Sequence, residues 1–179
     1  MSDFSIRLAV SSDIPTLIDL DHGYSTDHVW QMSYTRETGV IGVTFREVRL
    51  PRPMRVTYPR AVEGLRDEWT HKAALLVAEG DTGPSAYLTL VEGPVLEAGW
   101  ITDIVVGLRF RRQGMASALI RAAKEWARAK GMRRLMLEMQ SKNYPGIALA
   151  RKCGFQFTGY SDRYYPDEDI ALFFTAELY

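Results

Sequence analysis

The stretch from Val95 to Gly131 constrains the fold more than any other part of the chain. Residues 95–106 become apolar on both faces toward their end, the pattern of a central strand covered on two sides. They run without a spacer into Gly107-Leu108-Arg109-Phe110-Arg111-Arg112-Gln113-Gly114, and from there into a helix. In residues 113–130, Met115, Leu119, Ala122 and Trp126 recur at 3–4 spacing, with Arg121, Lys124, Glu125 and Arg128 between them. Gly131 stands where a helix ends in the left-handed conformation. A doubly covered strand that feeds an amphipathic helix requires a layered domain, with helices packed on a sheet.

The other segments extend that frame. Downstream, the patterns predict a strand at 135–140, a short helix at 143–152, a strand at 154–160 and a last strand at 170–178. Upstream, residues 4–10 read as a strand, and Ser11-Ser12-Asp13-Ile14-Pro15 as a helix start whose apolar face is Ile14, Leu17, Ile18 and Leu20. Residues 21–39 are polar and aromatic, and read as a second short helix or a loop. Residues 40–50 are strand-like until Pro51-Arg52-Pro53 breaks them. Residues 54–58 then resume an extended pattern, a hairpin or an edge element. Strands at 73–79 and 85–91 flank the turn Asp81-Thr82-Gly83-Pro84. No repeat or linker divides the chain, so the reading is one mixed-sheet α/β (α+β) domain over residues 1–179.

Composition removes several function classes. Lys+Arg and Asp+Glu both total 22, so the chain lacks the global positive field of a non-specific nucleic-acid binder. Cys153 is the single cysteine, which excludes an internal disulfide and a Cys-rich zinc site. His22, His28 and His71 show no metal-ligand spacing, so no metal is expected. No apolar run approaches the roughly 20 residues of a membrane span, and Met1-Ser2-Asp3-Phe4-Ser5 lacks the pattern of a secretory signal. A cytoplasmic protein, monomer or homodimer, is the expectation.

The turn at 107–114 is chemically the richest segment. The first N–H groups of a helix have no internal partner, and the macrodipole adds partial positive charge there. Gly114 and Ala116 lack bulk, so a diphosphate can approach the backbone, and Arg111 and Arg112 add two charges. A solvated basic loop is the alternative. The P-loop lysine and the dinucleotide-binding glycine pattern are both absent.

Arg111 to Ala116 reads Arg-x-x-Gly-x-Ala and resembles the pyrophosphate loop of the GNAT superfamily of N-acetyltransferases. Glu138-Met139-Gln140-Ser141-Lys142-Asn143 leads into a short helix that ends Arg151-Lys152-Cys153-Gly154-Phe155. Asn143 and Gly154-Phe155 stand at the spacing of that family. The likeness covers nearly the whole chain, best over 100–160, and looks closest to streptothricin-type and ribosomal-protein N-terminal acetyltransferases.

The resemblance implies a GNAT fold: a mostly antiparallel sheet of about seven strands, split in a V between two parallel neighbours, here 100–106 and 135–140. It implies acetyl-CoA as acyl donor. The backbone of Ile104, Val105 and Val106 would pair with the pantetheine arm as an added strand. The loop of Arg111, Arg112, Gln113, Gly114, Met115, Ala116 and Ser117 would hold the diphosphate, and Asn143 would sit near the thiol. Glu138 shares a strand face with Met136 and Gln140 and is the candidate base for the attacking ammonium, or else it orients the loop before Asn143. Backbone N–H groups near Val105 would steady the oxyanion. Where many relatives have a tyrosine seven residues after the asparagine, this chain has Ala150. Tyr144 is the candidate acid in its place, and a non-catalytic acyl-CoA sensor is the competing reading. Asp103 is a second acidic candidate, alternating with Ile101 and Val105, with a structural role the favoured one. The acceptor, a small-molecule amine or a peptide amino terminus, would lie against residues 21–34 and 160–169. Both carry aromatics and carboxylates, including Tyr24, Trp30, Tyr34, Tyr164 and Tyr165.

Overall fold

A computed structural model describes residues 4–179; the reading of Met1–Asp3 as part of a non-signal start lies outside them. The strands in chain order are β1 (Ser5–Leu8), β2 (Tyr24–Glu37), β3 (Val40–Val56), β4 (Ala74–Gly80), β5 (Gly83–Glu92), β6 (Ala98–Val106), β7 (Arg134–Gln140), β8 (Gln156–Ser161) and β9 (Ala171–Glu177). The helices are α1 (Ile14–Ile18), α2 (Leu65–Glu68), α3 (Met115–Ala129) and α4 (Tyr144–Lys152). Seven strands form one sheet in the order β1-β4-β5-β6-β7-β9-β8, while β2 and β3 form a separate two-stranded ribbon. Among the described residues only β6 and β7 run parallel; the other pairs in the sheet are antiparallel.

Alternation along the strands builds a core on each face. Leu76, Leu88, Leu90, Ile101, Leu135 and Leu137 point to the side covered by α3 and α4, where they meet Leu119, Ile120 and Ile147. Leu75, Val77, Tyr87 and Val105 point to the other side, against Ile14 and Leu17 of α1 and Leu65 of α2. The ribbon lies against α4 and the sheet's edge. Phe45 packs edge-on against Phe157 and Tyr160, and the Trp30 amide donates to Ser141 O at 2.9 Å.

Strand β6 carries one residue too many for its partner. Thr89 stands opposite Asp103 and Leu90 opposite Ile101, so Thr102 is a bulge. The bulge moves Asp103 off the Ile101 face and onto the side of Thr89 and Val105, against the simple alternation expected from the sequence. It falls where pairing with β7 stops. The two parallel strands are in register from Ala98/Arg134 to Ile101/Leu137 and no further. The V-shaped split implied by the family resemblance therefore opens at Thr102 and Glu138.

Two expectations need correction. Residues 21–39 hold neither a short helix nor a loop but a long strand, Tyr24–Glu37. Residues 40–56 form a single strand through Pro51 and Pro53, because the prolines are kept out of the ladder. Arg49 pairs with His28 and Met54 with Thr26, so residues 50–53 loop out opposite Asp27 alone. Among the described residues no helix is long and apolar enough to cross a membrane.

Leu119 is fully buried where α3 meets the sheet. Leu119→Ala should lower unfolding stability by about 2–5 kcal/mol, read as a lower denaturant midpoint at unchanged slope.

Candidate active site

Past Ile101 and Leu137 the two parallel strands separate around a cleft of about 650 Å³. Ile104 and Val106 of β6 line one wall; Leu137, Glu138 and Met139 of β7 line the other. Residues 114–117 close one end, α4 contributes Asn143 and Lys152, and Tyr24, Ser25 and Arg55 come from the ribbon.

The basic turn forms the outer end of this cleft. The first bond of α3 runs from the Ala118 amide to Gly114 O at 3.0 Å, so the amides of residues 114–117 have no carbonyl within the helix. Gly114 takes a left-handed φ of 90°, and nothing lies within 4 Å of the position a Cβ would occupy. Conformation rather than crowding thus requires the glycine, and its exposed face leaves the amides open. Arg112, also left-handed at φ 64°, is exposed at the rim. Met115 is buried and anchors the turn, Ala116 and Ser117 line the cleft, and Gln113 donates to Arg109 O at 3.0 Å.

The two arginines do different things. Arg112 is free to face an anion. Arg111 donates through Nε to Val106 O at 2.9 Å, and through Nη2 to Asp21 O and Gly23 O at 2.7 and 2.9 Å. Its guanidinium ties the end of β6 to the turn that opens the ribbon. Arg55 grips the same turn through the Asp21 carboxylate.

At the apex of the split lies a cluster of charged and phenolic groups. The Glu138 side chain is only 2% exposed, and as expected it faces away from Leu137 and Met139. One carboxylate oxygen pairs with Arg60; the other accepts from the Tyr164 hydroxyl at 2.9 Å. Arg60 also donates to Thr102 O at 3.0 Å and to Asp103 Oδ1 at 3.2 Å, and its guanidinium lies 5.4 Å from the ring centre of Tyr165. Asp103 accepts from the hydroxyls of Tyr58, Thr89 and Thr102 as well. Burial pushes the Asp103 carboxyl up to about 7, while the guanidinium and the three hydroxyls favour its charged form. Its oxygens are filled, and Asp103 is an anchor. His22 closes the cluster on the α1 side, bonded to Tyr87 at 3.0 Å, with its pKa lowered by burial.

Asn143 caps α4: its side-chain oxygen accepts from the Gly146 amide at 2.9 Å, which leaves the Nδ2 group as its donor. A Cβ on Gly146 would come within 2.9 Å of that side chain, so the glycine permits the close cap. Tyr144 is directed elsewhere. Its ring stacks on His28 at 4.7 Å on the ribbon side, and the Glu47 carboxylate pushes its hydroxyl pKa up. It is not among the residues lining the cleft, because the first turn of α4 presents it to the ribbon. Ala150 is buried in the core beneath α4. Of the aromatics expected near an acceptor, Tyr24, Tyr164 and Tyr165 reach the cleft or its apex. Trp30 packs under Arg151, and Tyr34 projects to solvent. Tyr24 donates to Gln140 at 2.9 Å, and burial pushes its pKa up.

Sequence reasoning passed over Arg60 and Tyr58. Tyr58 closes the extended segment 54–58 with no sign of a role, and Arg60, beyond it, is 43 and 78 residues from its two carboxylates. The one available signal was that a carboxylate within a doubly covered strand needs a cation, without saying which.

The split sheet, the open helix turn and the capping asparagine surround one cleft, and comparison with known proteins gives the family that the chain belongs to. The chain belongs to the acetyltransferase (GNAT) family, whose model matches residues 44–155. It is 25% identical over 169 residues to a streptothricin acetyltransferase of Streptomyces lavendulae, covering 92% of this chain and 87% of that one. It is 30% identical over 141 residues to an N-alpha-acetyltransferase of Sulfurisphaera tokodaii, covering 73% of this chain and 83% of that one. A crystal structure of nourseothricin acetyltransferase matches with a TM-score of 0.84 at 26% identity, over 98% of this chain and 99% of that one. The protein is an acetyl-CoA-dependent N-acetyltransferase.

Arg111→Ala removes hydrogen bonds to three carbonyls and should lower stability by about 2–3 kcal/mol, roughly 5–10 °C in thermal midpoint. Calorimetry checks this; an unchanged midpoint would mean that the clamp contributes nothing.

Proposed function

We propose that the chain transfers the acetyl group directly from acetyl-CoA to a primary amine, with Glu138 as the residue that accepts the amine's proton. The observation that carries this reading is the juxtaposition at the cleft. A strand edge without a partner, the open amides of residues 114–117 and a buried carboxylate at the apex all face one cavity. The fit to the coenzyme rests on the same features. The edge at residues 104–106, apart from the Val106 carbonyl that Arg111 holds, offers backbone groups to the pantetheine amides in the manner of an added strand. The first-turn amides and Arg112 receive the diphosphate. Asn143 donates from Nδ2 near the thiol end. Acetyl-CoA supplies the thioester.

An alkylammonium has a pKa near ~10, so it must lose a proton before it can attack. Glu138 lines the cleft and receives that proton, directly or through one water. Backbone N–H groups near Val105 stabilise the charge that develops on the carbonyl oxygen. A thiol has a pKa near ~8.5, so the leaving group departs as thiolate without the hydroxyl that Ala150 omits. The acceptor is a cationic small-molecule amine, or else a protein amino terminus. Its side of the apex carries Tyr164, whose exposed ring suits a cation. Among the relatives named above, one is by its name a streptothricin acetyltransferase and another an N-alpha-acetyltransferase.

Thiol release measured with streptothricin, spermidine and an alanyl tripeptide tests the reading. At least one acceptor should turn over, and Glu138→Gln should lower kcat by about 10²-fold or more. Binding of coenzyme A without turnover of any amine would favour a sensor instead. Arg112→Glu should weaken coenzyme A binding about tenfold or more by calorimetric titration, while leaving the thermal midpoint in place.

A further inference from the structure

We infer that Arg60 is a positioning residue for the acetyl transfer, which fixes the Glu138 carboxylate at the apex of the split from an anchor on the opposite strand. This rests on the assignment of Glu138 to the amine's proton.

Arg60 lies in the irregular connection between β3 and α2, yet its fork reaches both arms of the V. One nitrogen holds Thr102 O and Asp103 on β6; the other holds Glu138 on β7. Thr102 and Glu138 are the first residues beyond the last paired positions, Ile101 and Leu137. The guanidinium therefore takes over where the ladder stops. It is planar and presents two nitrogens at a fixed separation, which an ammonium cannot do. The anchor is itself rigid, because Asp103 is held by hydroxyls of Tyr58, Thr89 and Thr102. Tyr165 lies against the guanidinium, and Tyr164 takes the second oxygen of Glu138. Without Arg60 the Glu138 carboxylate, almost wholly buried, loses its ion-pair partner and is held by the Tyr164 hydroxyl alone. A shift of an ångström at the reacting centre is enough to cost about 10²-fold in rate.

The test is steady-state thiol release with the fastest of the three acceptors above, on Arg60→Ala, Arg60→Lys, Asp103→Asn, Glu138→Gln and the Arg60→Ala/Glu138→Gln double variant. Arg60→Ala should lower kcat about 10–100-fold, with the KM for acetyl-CoA held within about twofold. Methylguanidine in the assay should recover part of that loss, and Arg60→Lys should not. Because Arg60 acts through Glu138, the double variant should be no more than about twofold slower than Glu138→Gln alone. Should Arg60→Ala fail to fold, Asp103→Asn carries the test: it loosens the anchor and should lower kcat by a smaller factor at constant KM for acetyl-CoA. Multiplying losses in the double variant, a full rate in Asp103→Asn, or a KM that rises in step with the loss of kcat would each overturn the inference. A full rate in Glu138→Gln would instead overturn the base assignment, and the inference with it. A slow Glu138→Gln beside a fully active Arg60→Ala would overturn the role of Arg60 alone.

Discussion

Between Thr102 and Val106, a strand in the middle of a seven-stranded sheet has a neighbour on one side only. Buried backbone groups need partners, and a gap inside a sheet withholds them. The fold resolves this at the two ends of the gap with arginines. Arg60 donates to the carbonyl of Thr102, and Arg111 to that of Val106. The stretch between them faces a cavity. Most of what is unusual in the molecule follows from that arrangement: the bulge that turns β6, the ribbon laid beside α4, and the charged cluster at the apex.

Adjacent residues of the same type separate by function in this setting. Arg111 and Arg112 are indistinguishable on paper as contributors of positive charge. One is bonded to three backbone carbonyls and belongs to the scaffold; the other stands at the rim with its charge available. The two buried acids divide similarly. Asp103 is saturated by hydroxyls and a guanidinium, whereas Glu138 borders the cavity.

The second half of the chain was readable in the sequence because its elements bury whole faces. Met115 and Leu119 of α3, and Leu135, Leu137 and Met139 of β7, follow the period of their structure and all reach the core. The face carrying Glu138 came from the same alternation, whereas Asn143 came from the family resemblance and its cap on α4 is visible only in the structure. The first strand of the ribbon was not readable, since it buries little along its length. Trp30 and Phe45 pack, but neighbours such as Ser33, Tyr34 and Arg36 meet solvent, so no alternation marks the strand. Pro51 and Pro53 argued for a break, and only the register shows that they stand outside the ladder. The partner of Glu138 was hidden for another reason. An ion pair across 78 residues leaves no trace in local pattern.

The ribbon is secured at its root by Arg55 and Arg111, and in its middle by Trp30, while Tyr34, Val40 and Ile41 at its far end are bare. Its two ends are therefore subject to different rules of divergence. Changes near Asp21–Gly23 disturb the clamp on the half of the fold that carries the cleft. The turn at Gly39 can be lengthened, shortened or recharged with little effect on that half, which makes it the natural place for descendants of this scaffold to try new surfaces.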